Sequence, residues 1–154
     1  MGIIYQTREL CWYHTREQLT GELLHRFISI NDPPFGNGWT SKEFEEFVDP
    51  RSHMFFYAVE PYDEEFIAFG AIQLTNHCVT VHNFGISPRF QTAEMITKLH
   101  KILEEIRPCH QGGEEYLRGV IFRVRKPTAE TLAFFKRLNY SISNPYGEVA
   151  EIYK

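Results

Sequence analysis

The segment Ile86-Ser87-Pro88-Arg89-Phe90-Gln91-Thr92-Ala93-Glu94-Met95-Ile96 is the part of this sequence best suited to holding a charged ligand. A strand-forming run stops at Pro88, and apolar residues then recur at helical spacing from Met95 onward, so a strand should give way to a helix N-terminus. Such an end presents unpaired N–H groups and a partial positive charge, and a pyrophosphate can rest on it where no side chain blocks the approach. Glu94 brings bulk and negative charge to that place. The same carboxylate is also good first-turn electrostatics for any helix, and the sequence leaves both readings open.

Other chemistries find less support. His77, Cys78 and His82 lie on one predicted strand, where alternation puts Cys78 and His82 on one face and His77 on the other, so they do not converge on a metal. No Gly-x-Ser-x-Gly or Walker-type loop occurs, which leaves hydrolase and nucleoside-triphosphatase readings without a motif. Cys11, Cys78 and Cys109 are widely spaced and form no Cys-x-x-Cys pair, so a reducing compartment is expected. The start Met1-Gly2-Ile3-Ile4-Tyr5 lacks a basic segment and long apolar run, and no stretch approaches the ~18 apolar residues of a membrane span. A cytoplasmic protein is the expectation, with no membrane partner.

The chain has 154 residues, 15% of them aromatic and 23% charged, which suits one globular domain with a sizeable core. A net charge of −4 argues against a dedicated nucleic-acid binder. The basic cluster of Arg118, Arg123, Arg125 and Lys126 would be split between strand faces and reads as a solvated rim.

These residues need a scaffold, and the pattern supplies one. Leu10 to Tyr13 reads as the end of a first strand, and Thr15-Arg16-Glu17-Gln18 as a capping box that opens a helix carrying Leu19, Leu23 and Phe27. Asn31-Asp32-Pro33-Pro34 stops that helix, and a loop with Phe35 and Trp39 leads to a second capping box, Thr40-Ser41-Lys42-Glu43. Strands follow at Met54 to Val59, Phe66 to Leu74 and Val79 to Ile86, the first two joined by a polar turn from Pro61 to Glu65. A helix from Gln91 to Ile106 should bury Met95, Ile96, Leu99, Ile102, Leu103 and Ile106. Pro108 to Glu114 reads as a loop, Val120 to Val124 as a strand, Thr128 to Leu138 as a helix, and Tyr140 to Tyr153 as a hairpin turning at Asn144-Pro145-Tyr146-Gly147.

The order β, α, α, β, β, β, α, β, α, β, β resembles that of the GNAT superfamily of N-acyltransferases over nearly the whole chain. In that family a strand and proline lead into Arg/Gln-x-x-Gly-x-Gly/Ala at a helix start; Pro88 and Gln91 match, while Glu94 and Ile96 stand at the two small positions. The segment Thr128-Ala129-Glu130-Thr131-Leu132-Ala133-Phe134-Phe135-Lys136-Arg137-Leu138-Asn139-Tyr140 is similar to the family's Asn-x-x-Ala-x-x-Leu-Tyr-x-x-Leu-Gly-Phe. The resemblance implies a single α+β domain over residues 1–154, with a central, mostly antiparallel mixed sheet flanked by helices on both faces.

It also implies a site. Acetyl-CoA or another acyl-CoA would be bound by Ile86, Gln91, Thr92, Ala93, Glu94, Met95 and Thr128. The family's Tyr, which protonates the departing thiolate, is Phe135 here and has no proton to give. His82 and Asn83 are the candidates for taking a proton from the incoming amine; they are neighbours on a strand, so alternation lets one or the other face the site. A histidine simply hydrogen-bonded within the sheet is the plainer reading of His82. Phe35 and Trp39 would border the acceptor groove, either as an aromatic wall or as a plug on the sheet. The expected function is acyl transfer, acetyl foremost, to a primary amine, with activity weakened or lost. The alternative is a non-catalytic descendant used for binding or assembly, for example in a larger complex such as a virion, and a homo-oligomer fits either reading.

Overall fold

The computed structural model describes residues 2–6, 10–31, 36–47, 49, 51–62, 64–74, 78–106 and 119–154. Among them are strands β1 (Gly2–Gln6), β2 (Cys11–Thr15), β3 (His53–Val59), β4 (Phe66–Leu74), β5 (Val79–Ile86), β6 (Val120–Arg125), β7 (Ser141–Ser143) and β8 (Val149–Tyr153). The helices are α1 (Gly21–Ser29), α2 (Ser41–Glu46), α3 (Ala93–Ile106) and α4 (Ala129–Arg137), with a 3-10 turn at Pro88–Phe90 before α3. One sheet runs β1-β2-β3-β4-β5-β6-β8-β7. Every neighbouring pair in it is antiparallel except β5 and β6. The expected α+β architecture is therefore present.

Helices cover both faces because the strands are apolar on both. On one face, Val79, Val81, Phe84 and Ile86 of β5 and Phe122 and Val124 of β6 pack with the α3 stripe Met95, Ile96, Leu99, Ile102 and Leu103 and with Phe135 of α4. The Ile106 side chain expected in that stripe lies outside the described residues. On the other face, Phe55, Tyr57, Phe69 and Ala71 meet Leu19, Phe27, Trp39, Phe44 and Phe47. Phe27 of α1 is fully buried, its ring 4.5 Å from Phe69, 5.6 Å from Phe55 and 6.0 Å from Phe44. At these spacings aromatic pairs add roughly 0.5–1.5 kcal/mol each beyond area burial.

Two local readings meet different fates. Thr40 caps α2 as expected: its Oγ1 accepts the Glu43 N–H at 3.2 Å, and Glu43 Oε1 accepts the Thr40 N–H at 3.2 Å. Thr15 opens no helix. It is the last residue of β2, paired with Phe55, and its Oγ1 accepts the Glu17 N–H in a short turn at 3.1 Å. Sheet pairing claims Thr15 first, and α1 starts only at Gly21, after an N-cap Thr20 with no side-chain bond. β1, which pairs with β2, adds a strand that the reading of the sequence did not include. α3 begins two residues later than expected, at Ala93. The Pro108 to Glu114 loop lies outside the described residues.

Candidate active site

The parallel strands β5 and β6 pair only at Val79 with Val120, Thr80 with Ile121 and Val81 with Phe122. Beyond that point β5 continues along β4 to Ile86, and β6 continues along β8 to Arg125, so the two strands part. A β-bulge marks the place. Ala71 pairs with Asn83 and Ile72 with Val81, which leaves His82 as the extra residue on β5. Bulges bend a strand and sharpen its twist, which turns β5 away from β6.

The bulge also corrects the expectation that only one of His82 and Asn83 would face the site. Alternation fails across an inserted residue, and both side chains reach the α1/α2 face. The His82 ring lies 5.5 Å from Phe47 and 6.4 Å from His53, while Asn83 meets Asn31 and Asn37.

Asn83 is fully buried, donating to Asn31 Oδ1 at 2.7 Å and accepting the Asn37 N–H at 2.9 Å. Asn31 in turn holds both the N–H and the carbonyl of Trp39, each at 2.9 Å. Gly85 lets this corner close, because a Cβ there would collide with the Ile30 carbonyl and the Phe69 ring. The Asn37 side chain bridges the parted strands: Nδ2 donates to the carbonyls of His82 on β5 (2.8 Å) and Arg123 on β6 (2.9 Å), and Oδ1 accepts the Arg125 N–H at 2.8 Å. One amide thus replaces part of the ladder that the bulge breaks.

His82 is half-buried, with Nε2 2.8 Å from Gln73 Oε1. Burial, then the Arg123 guanidinium, then His53 push its pKa down to about 4. The imidazole is neutral at pH 7; with Nε2–H donating to Gln73, Nδ1 carries the lone pair. Arg123 and Arg125, two apart on β6, share this face. Arg125 pairs with Glu43 at 2.8 Å, Lys126 with Glu148 at 3.9 Å, and Arg118 lies outside the described residues. Arg123 is not the solvated rim residue expected: it is half-buried, and its Nε is buried without a hydrogen-bond partner. Trp39 is 9% exposed, its ring 5.2 Å from Phe44 and 5.4 Å from Phe47. With Asn37, His82, Arg123, Arg125 and Val149 it lines a cavity of about 140 Å³. Phe35 and His77 lie outside the described residues.

At the far end of the gap, β5 runs into the start of α3. Ser87 donates its N–H to Ile67 on β4, so strand alternation turns the backbone of Ile86 toward the gap, where its carbonyl accepts Gln91 Nε2 at 3.0 Å. Thr92 Oγ1 accepts the Met95 N–H at 3.2 Å and so caps α3. Ala93 is exposed at the first position of the helix, and Met95 is buried in the core. Glu94 is drawn along the helix by Lys98, 3.3 Å away, which partly offsets its charge. Thr128 caps α4, accepting the Thr131 N–H at 3.1 Å. Phe135 is fully buried, with ring centroids 5.2 Å from Tyr140, 5.8 Å from Phe122 and 6.4 Å from Phe84.

His82, Asn83 and Trp39 therefore meet on the α1/α2 side of the gap, and Ile86, Gln91 and Thr92 meet at its end. Gln73, Asn31, Asn37 and Arg123 belong to the same corner and were not among the site residues expected from the sequence, where Arg123 was read only as part of a solvated rim. Asn31 had been visible only as a helix stop. Asn37 carried no signal beyond lying in a Gly- and Asn-rich loop.

No family profile matches this sequence, and neither does any curated protein. Solved structures do match in shape. The ribosomal-protein-S18-alanine N-acetyltransferase from Escherichia coli is 18% identical, with a TM-score of 0.60 over 92% of this chain and 90% of that one. Arabidopsis thaliana NAA60 in complex with acetyl-CoA is 14% identical, with a TM-score of 0.57 over 94% and 96%. A GNAT family acetyltransferase from Elizabethkingia anophelis with acetyl-CoA bound is 10% identical, with a TM-score of 0.57 over 95% and 96%. At these identities the likeness establishes the fold alone.

Proposed function

The chain has the GNAT acetyltransferase fold, and from that premise we propose that it is an N-acyltransferase moving an acyl group, acetyl foremost, from acyl-CoA to a primary amine. The observation that carries this reading is the parting of β5 and β6 after Val81 and Phe122, with the gap ending at the start of α3. The residues present fit a weakly held acyl-CoA: a strand edge at Ile86, a helix start at Ala93, and a Glu94 carboxylate engaged by Lys98.

Acyl-CoA supplies an activated thioester carbonyl. The protein's part is to place it and to manage protons. Gln91, Thr92 and the free amides at the start of α3, those of Ala93 and Glu94, would hold the diphosphate, the Met95 N–H being taken by Thr92 Oγ1, and the Thr128 hydroxyl would meet the pantetheine arm. On the acceptor side Trp39 would form a wall. His82 at about pKa 4 is too weak a base to hold the amine's proton at pH 7; its Nδ1 would accept a hydrogen bond from the amine or from a water that carries the proton to solvent, and Asn83 fixes the strand beside it. Phe135 gives no proton to the departing thiolate, so that step relies on the thiolate being a tolerable leaving group.

Calorimetry with acetyl-CoA tests the reading. Binding is expected at micromolar to high-micromolar strength. Glu94→Gly should tighten it about two- to fivefold, the equivalent of roughly 0.3–1 kcal/mol for removing a negative charge beside bound phosphate at a helix start. Absence of binding by both proteins at millimolar ligand would overturn the acyltransferase reading. It would favour a non-catalytic scaffold, in which the Asn37 bridge simply closes the gap.

A further inference from the structure

Arg123 presents an unanswered requirement. A guanidinium has five N–H donors and stays charged, and leaving even one donor buried without an acceptor is unfavourable. Its Nε is in that state. Its neighbour Arg125 has Glu43, whereas among the described residues Arg123 forms no ion pair, and Glu151, opposite it on β8, is turned to solvent. The cavity beside it is walled by Asn37, Trp39, His82, Arg125 and Val149, with no acid among these residues.

We propose that this cavity is a carboxylate subsite, in which Arg123 holds the acid group of an amine acceptor at the mouth of the β5/β6 gap. The assignment rests on the acyltransferase reading for the word acceptor, but not for the binding itself. Its volume of about 140 Å³ lies well below the roughly 300–1,000 Å³ of a whole small-molecule site, so it suits one functional group of a substrate. An arginine fork matches a planar carboxylate with two parallel hydrogen bonds. A carboxylate matches the charge too: Arg125 is already balanced by Glu43, so one cation faces one anion, where a phosphate monoester would bring close to two negative charges. His82 lines the same cavity, so a molecule held at Arg123 by its acid group carries its amine to the residues of the proposed proton path. The substrate class is thus an amino-acid-like zwitterion or the start of a peptide with an acidic side chain.

Titration without acyl-CoA separates this proposal from the reading it builds on. The His82 imidazole resonances are followed by NMR as glycine, the dipeptide Ser-Asp amide, acetate or methylamine is added. Acetate and at least one of the two amine-carboxylates should shift His82 with saturation, and methylamine should not; which of glycine and the dipeptide binds tells free amino acid from peptide. Bound carboxylate should also raise the His82 pKa by cancelling the Arg123 charge. Arg123→Gln should weaken binding tenfold or more, Arg123→Lys should weaken it less, and Lys136→Gln, an exposed change on α4, should leave it within about twofold. If Arg123→Gln fails to fold, the Lys variant and the His82 titration decide. Carboxylates that leave His82 unmoved, or that bind equally to the Arg123 variants, would overturn the subsite while leaving acyl-CoA binding intact.

Discussion

The two faces of the sheet at β5 and β6 are built from the same strands and have opposite characters. On the α3/α4 face, Phe84, Phe122, Phe135 and Tyr140 interlock at ring separations of 5.2 to 6.4 Å. On the α1/α2 face the same strands present His82, Asn83 and Arg123 to a network of amides from Asn31 and Asn37. A single bulge at His82 separates these characters, since it delivers two consecutive polar side chains to one face while the apolar pattern resumes at Phe84 on the other. The lesson concerns where chemistry can reside. Phe135 is enclosed in the packed face, whereas the titratable imidazole of His82 lies on the face opposite.

Substitutions in the packed face should have the largest effect. Leu99 is fully buried in α3, and Leu99→Ala should lower unfolding free energy by about 2–5 kcal/mol, read by chemical denaturation. A negligible change would mean that the α3 register is wrong. The polar face should respond less, and for another reason. Asn83→Ala leaves Asn31 Oδ1 and the Asn37 N–H each short of one partner, an expected loss of about 1–3 kcal/mol; tolerance of the change would show that the network is not structural.

The smallest effect is on pH dependence. The folded pKa of His82 lies near 4, below its ordinary 6.5, and those of His53 and His14 are also lowered, chiefly by burial. The unfolded chain therefore binds more protons as pH falls below 6.5, so stability is full above that value and declines toward pH 4. Between pH 7 and 5 the lowered carboxylates Glu43 and Asp49 stay ionised, which leaves histidines in control. His82→Gln should flatten the decline in denaturation midpoint over that window, and an unchanged slope would remove His82 from the account.

Much of the scaffold was legible because its signals are local. Thr40 and Glu43 are three residues apart and cap each other; the α3 stripe repeats within a single helix. Thr15 carried the same local pattern as Thr40, but its pairing with Phe55, forty residues on, prevailed. The candidate site was only partly legible for the same reason. Its defining contacts join Asn37 to Asn83, Asn31 to Asn83 and Asn37 to Arg123, at separations of 46, 52 and 86 residues. No spacing rule reaches so far. Nor does alternation announce a bulge, because the extra residue exists only relative to the partner strand, and so the joint presence of His82 and Asn83 on one face had no signature in sequence.

The most direct test of the central claim, that the β5/β6 gap and the start of α3 form one acyl-CoA site, is a backbone amide NMR titration with acetyl-CoA. Saturable shifts are predicted at His82 to Ile86, Gln91 to Met95 and Thr128, with a common micromolar to high-micromolar affinity. Amides that stay unmoved at millimolar acetyl-CoA, or shifts confined to the separate groove of His100, Glu104 and Tyr140, would contradict it.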